Sequence, residues 1–78
     1  MGTQEQVNEI IRGFFNNPKL QVSAATTAAD VPGWDSLAHS TLMMEIERAF
    51  DIEFDLDDIL EFANVGEIVA KIDKLRSA

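Results

Sequence analysis

The stretch that decides the fold is residues 35–54, which read DSLAHSTLMMEIERAFDIEF. Apolar residues recur every three or four positions along its centre, at Leu42, Met43, Ile46, Ala49 and Phe50. Residues at this spacing share one side of an α-helix, and that side faces a core. The pattern predicts an amphipathic helix that begins at Asp35 or Ser36 and ends near Phe50.

Two further amphipathic helices flank this stretch. The first ends before Pro18, because proline cannot continue the helical hydrogen bonds, and Thr3 followed by Gln6 resembles a capping box at its start. The last begins after Asn64, a favoured N-terminal cap. The two apolar stripes are Val7, Ile10, Ile11, Phe14 and Phe15, and then Val65, Ile68, Val69, Ile72 and Leu75.

The connecting segments complete the predicted fold. Residues 18–35 lack strand-like alternation and predict a long loop, residues 51–56 predict an ordered loop, and residues 57–63 predict a short helix. Their candidate core contacts are Leu20, Val22 and Val31, then Ile52 and Phe54, then Ile59, Leu60 and Phe62. We therefore expect an all-α four-helix bundle with three longer helices, one short helix and a long loop between helices 1 and 2. It forms a single domain over residues 1–78.

Composition narrows the classes of function. The 78 residues include no cysteine, which excludes disulfides, thiolate catalysis and cysteine-based metal sites. No apolar run approaches the roughly 18 residues of a membrane span, and no basic-then-apolar signal sequence opens the chain. We expect a monomeric cytoplasmic protein that does not insert into membranes.

The charge of the chain is concentrated in one segment. The net charge is −8, and residues 35–61 hold nine acids against one base, Arg48. The acids are Asp35, Glu45, Glu47, Asp51, Glu53, Asp55, Asp57, Asp58 and Glu61. An acidic surface can simply keep a small protein soluble, but this concentration favours a docking surface for basic proteins. The same field repels nucleic acid, so we expect no nucleic-acid partner.

Enzyme chemistry needs converging groups, and the sequence offers few. His39 is the only histidine and lies three residues after Ser36, but the pair lacks an orienting acid and an oxyanion hole. We expect no catalytic residue, and we expect His39 to lie on the helix surface or half-buried.

One acidic run resembles a calcium-binding loop. Its alternating acids are Asp51, Glu53, Asp55 and Asp57. The position of the required turn glycine is occupied by Leu56, and the position of the bidentate glutamate by Phe62. We therefore assign no metal ligand.

The segment 33–37, Gly-Trp-Asp-Ser-Leu, places Ser36 between a loop and the N-terminus of the patterned helix. Free backbone N–H groups and the positive end of the helix dipole stabilise an anion such as phosphate at that point. Serine and aspartate are also favoured N-terminal caps. The residues alone leave both interpretations of Ser36 open.

Over nearly its whole length the chain resembles the acyl carrier proteins. The resemblance rests on Asp35-Ser36-Leu37, on a following helix that ends in residues 50–54, on an acidic short helix and on a last helix opened by Val65. It implies a carrier without catalytic activity. A phosphopantetheinyl transferase would attach 4′-phosphopantetheine from coenzyme A to Ser36, and an acyl group would be held as a thioester on its thiol.

The resemblance also implies contacts with acyl-loading and acyl-transfer enzymes that have basic docking patches. The expected contact residues are Asp35, Leu37, Ser40, Thr41, Met44, Glu47 and Arg48. The expected lining of an acyl chain between the helices is Ile46, Ile59, Phe62 and Ile68.

Some residues depart from the pattern of fatty-acid carriers. Ala38 and Thr41 stand where acids are usual, and Trp34 precedes the motif. These departures favour a specialised carrier in a lipid-modifying or secondary-metabolite pathway over general fatty-acid biosynthesis. Two alternatives stay open: an aminoacyl or peptidyl carrier, against which Asp35 argues, and an acidic helical adaptor without a cofactor.

Overall fold

The computed structural model describes residues 2–77, which contain four α-helices and no strand. The helices are α1 (Thr3–Phe14), α2 (Ser36–Phe50), α3 (Leu56–Glu61) and α4 (Val65–Arg76), and a 3-10 turn covers Ala28–Asp30. The all-α prediction is confirmed, with one short helix and a long loop between α1 and α2. The 3-10 turn was not predicted.

The core lies where α1 packs against both α2 and α4. Its fully buried side chains are Val7, Ile11, Leu42, Met43, Ile46, Val65, Ile68 and Ile72. Two predictions about core residues are wrong. Ala49 is exposed beside Ile10, at the margin of the contact between α1 and α2. Leu60 is 72% exposed, because the six-residue α3 packs inward through Ile59 and Phe62 only.

The capping box predicted at Thr3 is also wrong. The N-terminal cap of α1 is Gly2, so Thr3 already lies inside the helix. The Thr3 hydroxyl instead donates to the Asp73 carboxylate and thereby joins α1 to α4. At its other end α1 stops at Phe14, where Asn16 adopts a left-handed conformation with φ 53°. The predicted end of the helix before Pro18 is confirmed.

The long loop is held to the core by buried side chains. Val22 and Val31 are buried and Leu20 packs against the core, as predicted. Trp34 is only 9% exposed and was not predicted to be a core residue. Gly33 precedes it with φ 90°, a conformation that glycine adopts without steric cost. The turn at Gly33 thus directs Trp34 inward, immediately before α2.

The same loop satisfies the first backbone N–H groups of α4. Val65 N–H donates to the Thr26 carbonyl and Gly66 N–H donates to the Ala24 carbonyl, each at 2.8 Å. A Cβ atom at residue 66 would lie 2.9 Å from the Ala24 oxygen, so glycine permits this close approach. The loop is therefore a fixed part of the bundle.

The segment between α2 and α3 is ordered, as predicted. Phe54 is buried and Ile52 packs against the core. The Phe54 N–H donates to the Glu47 carboxylate at 2.7 Å. On the other side of α3, Lys71 of α4 lies 3.1 Å from the Asp58 carboxylate. The segment before α3 is thus tied to α2, and the middle of α3 is joined to α4.

The helix lengths bear on membrane insertion. Within residues 2–77 the longest helix, α2, has 15 residues. None of the helices there is long and apolar enough to cross a membrane.

Candidate functional site

The sequence left open whether Ser36 caps α2 or has a free hydroxyl, and the structure assigns the cap to Asp35. Asp35 is the N-terminal cap of α2, and its Oδ1 accepts the Ala38 N–H at 2.8 Å. Ser36 is the first residue of the helix and is exposed. Its hydroxyl has no hydrogen-bond partner in the described chain, residues 2–77. Because Asp35 caps the helix, the Ser36 Oγ is free to be modified.

The surroundings of Ser36 suit a phosphodiester. The backbone N–H groups of Ser36 and Leu37 have no acceptor among residues 2–77, and they point out of the first turn of α2. Such groups, together with the positive end of the helix dipole, stabilise an attached anion. The His39 N–H closes the turn by donating to the Asp35 carbonyl at 2.8 Å. A bound phosphate at Ser36 Oγ therefore fits the residues present.

A groove of about 490 Å³ opens beside Ser36, between the end of the long loop, α2 and α3. It is lined by Ala28, Trp34, Asp35, Ser36, His39, Ser40, Leu56, Ile59, Leu60 and Phe62. Of the four residues predicted to line an acyl chain, Ile59 and Phe62 line this groove. Ile46 and Ile68 do not, because both are buried in the core.

Two hydrogen bonds join the loop, α2 and α3 through His39. Trp34 Nε1–H donates to His39 Nδ1 at 2.9 Å, and His39 Nε2 lies 2.8 Å from the Ile59 carbonyl oxygen. The indole can only donate and the carbonyl can only accept. The geometry therefore assigns His39 the neutral tautomer with its proton on Nε2. We call these two bonds the His39 bridge.

Sequence reasoning predicted a surface or half-buried His39, and the structure confirms that it is half-buried. It missed the bridge, because the partner carbonyl lies 20 residues away in the chain. The five-residue spacing of Trp34 and His39 was the one available signal, since it brings a loop residue level with the first turn of α2. The two rings are stacked with centroids 6.0 Å apart, and Phe15 packs on the other side of Trp34.

Apart from Asp35, which caps α2, the residues predicted to contact partners fall into two groups. Leu37 and Met44 are 78% and 57% exposed, and Ser40 and Arg48 are also exposed, so these four lie on the solvent side of α2. Arg48 approaches Glu45 only at 3.9 Å, and an exposed ion pair of this kind contributes little.

Thr41 and Glu47 form the second group, since both are half-buried and have partners within the protein. Thr41 Oγ1 donates to the Leu37 carbonyl at 3.0 Å, and the Glu47 carboxylate accepts the Phe54 N–H. Sequence reasoning missed Leu56 and Leu60 on α3, which are 69% and 72% exposed. Their spacing of four residues places them on the same face of the short helix, but it does not indicate whether that face is buried or exposed.

The acidic segment remains largely open to solvent. Glu47 and Asp58 are half-buried, and the other seven acids of residues 35–61 are exposed. Nowhere between residues 2 and 77 do three or more acidic or histidine side chains converge as a metal ion would require. The acids therefore form a diffuse negative surface around α2 and α3.

Comparison with known proteins identifies relatives of this arrangement. A family model described as a phosphopantetheine attachment site matches residues 5–72. A comparison with curated protein sequences yields no match.

Two solved structures are similar over almost the whole chain. One is the solution structure of a holo acyl carrier protein from Geobacter metallireducens, with a TM-score of 0.90, 30% identity, and coverage of 99% of this chain and 88% of that one. The other is a Mycobacterium tuberculosis protein provisionally described as an acyl carrier protein. Its TM-score is 0.84 at 25% identity, with coverage of 94% of this chain and 97% of that one.

Proposed function

The chain belongs to the acyl carrier proteins, the family with a phosphopantetheine attachment site, and we propose that Ser36 bears the prosthetic group. Members of this family are carriers and not enzymes. They interact with a phosphopantetheinyl transferase and with acyl-handling enzymes. The prosthetic group is covalently attached phosphopantetheine. When bound, it supplies the thiol that holds an acyl group, which a chain without cysteine lacks.

One observation supports Ser36 above all others. The capping role at the start of α2 belongs to Asp35, so the exposed Ser36 hydroxyl carries no structural hydrogen bond within residues 2–77. Ser40 is the nearest comparable hydroxyl, and it lies one turn further along α2, away from the free N–H groups. The N-terminal position therefore favours Ser36 as the attachment residue.

The groove beside Ser36 supports a place for the acyl cargo. Trp34, Ile59 and Phe62 provide apolar walls, and Ser36 lies at its margin. We propose that an acyl chain lies along these walls, where its contact with water is reduced. The core side chains Ile46 and Ile68 would not be reached without opening the bundle.

Exposed residues around Ser36 support a docking surface. We define it as Leu37, Ser40, Met44 and Arg48 of α2 with Leu56 and Leu60 of α3, bordered by Asp35. The exposed leucines offer small apolar contacts, and the surrounding acids attract basic partner surfaces over longer distances. Brief, repeated contacts with several enzymes need this combination of rapid encounter and modest affinity.

The proposed pathway is a specialised one, in lipid modification or secondary metabolism. Ala38 and Thr41 leave the start of α2 without acids after Asp35, while Leu56 and Leu60 add apolar surface on α3. This pattern suits dedicated partners better than enzymes that recognise a strongly acidic α2. A cytoplasmic location and a monomeric state remain predictions.

Incubation of the apo-protein with coenzyme A and a broad-specificity phosphopantetheinyl transferase tests the carrier function. We expect the intact mass to increase by one phosphopantetheine, on a peptide that contains Ser36. A protein that no transferase modifies would contradict the proposal and favour a cofactor-free adaptor. Loading by an amino-acid-activating enzyme, and not by an acyl-activating one, would assign the chain to aminoacyl carriers.

The charge of the docking surface predicts a salt effect. Raising the salt from about 0.05 M to about 0.5 M shortens the Debye length severalfold, so we expect loading at low carrier concentration to slow by about tenfold. The measurement is the apparent kcat/KM of the transferase for the carrier. Turnover of the same transferase on a short uncharged peptide substrate corrects for salt effects on the enzyme. A carrier-specific rate that does not change with salt would remove the steering role.

A further inference from the structure

The carbonyl of Ile59 in α3 is satisfied in an unusual way. In a continuing helix it would accept the N–H of residue 63. Here the Ala63 N–H donates to the Glu67 carboxylate at 2.9 Å, because the chain turns toward α4. The Ile59 carbonyl is left to His39, whose Nε2 lies 2.8 Å away. A side chain of α2 thus replaces the missing backbone donor of α3.

We propose that His39 is the positioning residue of the groove. Through its hydrogen bonds to Trp34 and to the Ile59 carbonyl it holds α3 against α2 and thereby fixes the α3 wall of the groove beside Ser36. That this groove receives cargo rests on the proposed carrier function, whereas the His39 bridge itself does not.

The positioning follows from the donors and acceptors of the bridge. The Trp34 indole N–H donates to His39 Nδ1 at 2.9 Å and thereby fixes the orientation of the imidazole ring. Trp34 is itself almost fully buried and packs on Phe15. A side chain held in the core therefore directs the His39 Nε2–H toward the Ile59 carbonyl.

Little else holds α3 in place. Its N-terminal cap, Asp55, makes no side-chain hydrogen bond to it, and the helix has only six residues. The Asp58–Lys71 ion pair lies about one quarter exposed and is partly screened by solvent. Ile59 and Phe62 supply its apolar packing. Loss of the His39 bond therefore removes a large share of the interactions that position α3.

The charged groups around His39 do not provide a competing partner. Among the residues that line the groove, all of them described, Asp35 alone is charged, and its Oδ1 accepts the Ala38 N–H. In the long loop, Asp30 bonds to Thr27. The remaining acids of α3 are exposed, apart from Asp58, which pairs with Lys71 of α4. No charged side chain that lines the groove therefore competes with Trp34 and Ile59 for His39.

The first test uses NMR of the unmodified apo-protein. Long-range ¹H–¹⁵N spectra at about pH 8 should show Nε2 protonated and Nδ1 unprotonated. A proton on Nδ1, or no proton on Nε2, would overturn the proposal.

The second test compares variants of the bridge. His39→Phe keeps an aromatic ring beside Trp34 but removes both hydrogen bonds, whereas His39→Gln retains one acceptor and one donor. We expect amide hydrogen exchange in α3 to be about tenfold faster in His39→Phe and to recover largely in His39→Gln. Exchange in the core of α1 is the internal control. Equal exchange rates in the two variants would reject the hydrogen-bond role, and if either fails to fold, the ring spectra of the wild-type protein still decide.

The third test concerns the groove. Octanoyl-coenzyme A and the transferase are used to load wild type and His39→Phe, and the signals of Ile59 and Phe62 are compared with those of the unloaded holo-proteins. We expect clear shifts in wild type and weaker shifts in His39→Phe, because an α3 that is no longer held by His39 contacts the octanoyl chain less closely. Shifts of equal size in the two proteins would refute control of the groove by His39. Failure to load would contradict the carrier function, while the apo-protein tests would still judge the bridge.

Discussion

Replacing Ser36 by alanine should abolish phosphopantetheine loading completely. The alanine side chain has no oxygen to form the phosphodiester, so no change in enzyme or coenzyme A concentration can restore the reaction. The fold should be unaffected, because Asp35 and not Ser36 caps α2. Intact mass after extended incubation with the transferase measures the effect, and far-UV circular dichroism confirms that the helices remain.

Ser40→Ala is the matched control for this variant. Ser40 is also exposed on α2 and also lines the groove, but it lies beyond the first helical turn. We expect the Ser40→Ala protein to gain one phosphopantetheine, like wild type. A mass gain in Ser36→Ala would mean that another hydroxyl is modified. If Ser36→Ala gains the full mass and Ser40→Ala gains none, Ser40 is the attachment residue.

Leu42→Ala should lower the free energy of unfolding by about 2–5 kcal/mol, the range measured for buried leucines that leave a cavity. Leu42 is fully buried where α2 meets the core. A domain of this length has a total stability of roughly 4–12 kcal/mol, so the loss is a large fraction of it. Urea denaturation followed by circular dichroism, with equal m-values in both proteins, measures the difference.

Leu37→Ala provides the same chemical change on the same helix at a residue that is 78% exposed. Its free energy of unfolding should stay within about 0.5 kcal/mol of wild type. Since Leu37 belongs to the docking surface, we expect instead a slower loading reaction, by about threefold to tenfold. Equal destabilisation in the two variants would show that the burial of α2 is misassigned, and unchanged loading in Leu37→Ala would remove Leu37 from the docking surface.

The three long helices could be predicted from local patterns. The apolar stripes of α1, α2 and α4 and the caps Asp35 and Asn64 are features of neighbouring residues, and local geometry decides them. The wrong prediction of a cap at Thr3 instead depends on a residue that is distant in the sequence. Thr3 fits a cap by sequence, but its hydroxyl bonds to Asp73, which lies 70 residues away.

The site could be predicted in part, because some of its features also depend on neighbouring residues. The position of Ser36 at the start of a patterned helix follows from the sequence. Whether Ser36 or Asp35 supplies the cap depends on the backbone angles of one residue, and only the folded chain shows that Asp35 does so. Trp34, Leu56 and Leu60 become groove residues only because α3 lies beside the end of the long loop.

By itself, the sequence determined the helical class, the position of Ser36 near the start of α2 and the acidic segment, since each depends on residues within a few positions of one another. Tertiary structure alone decided the docking of the long loop on the first turn of α4 and the His39 bridge. The reason is physical. Both use backbone carbonyls, which every residue possesses, so the identity of the side chain does not indicate which carbonyl a distant donor will find.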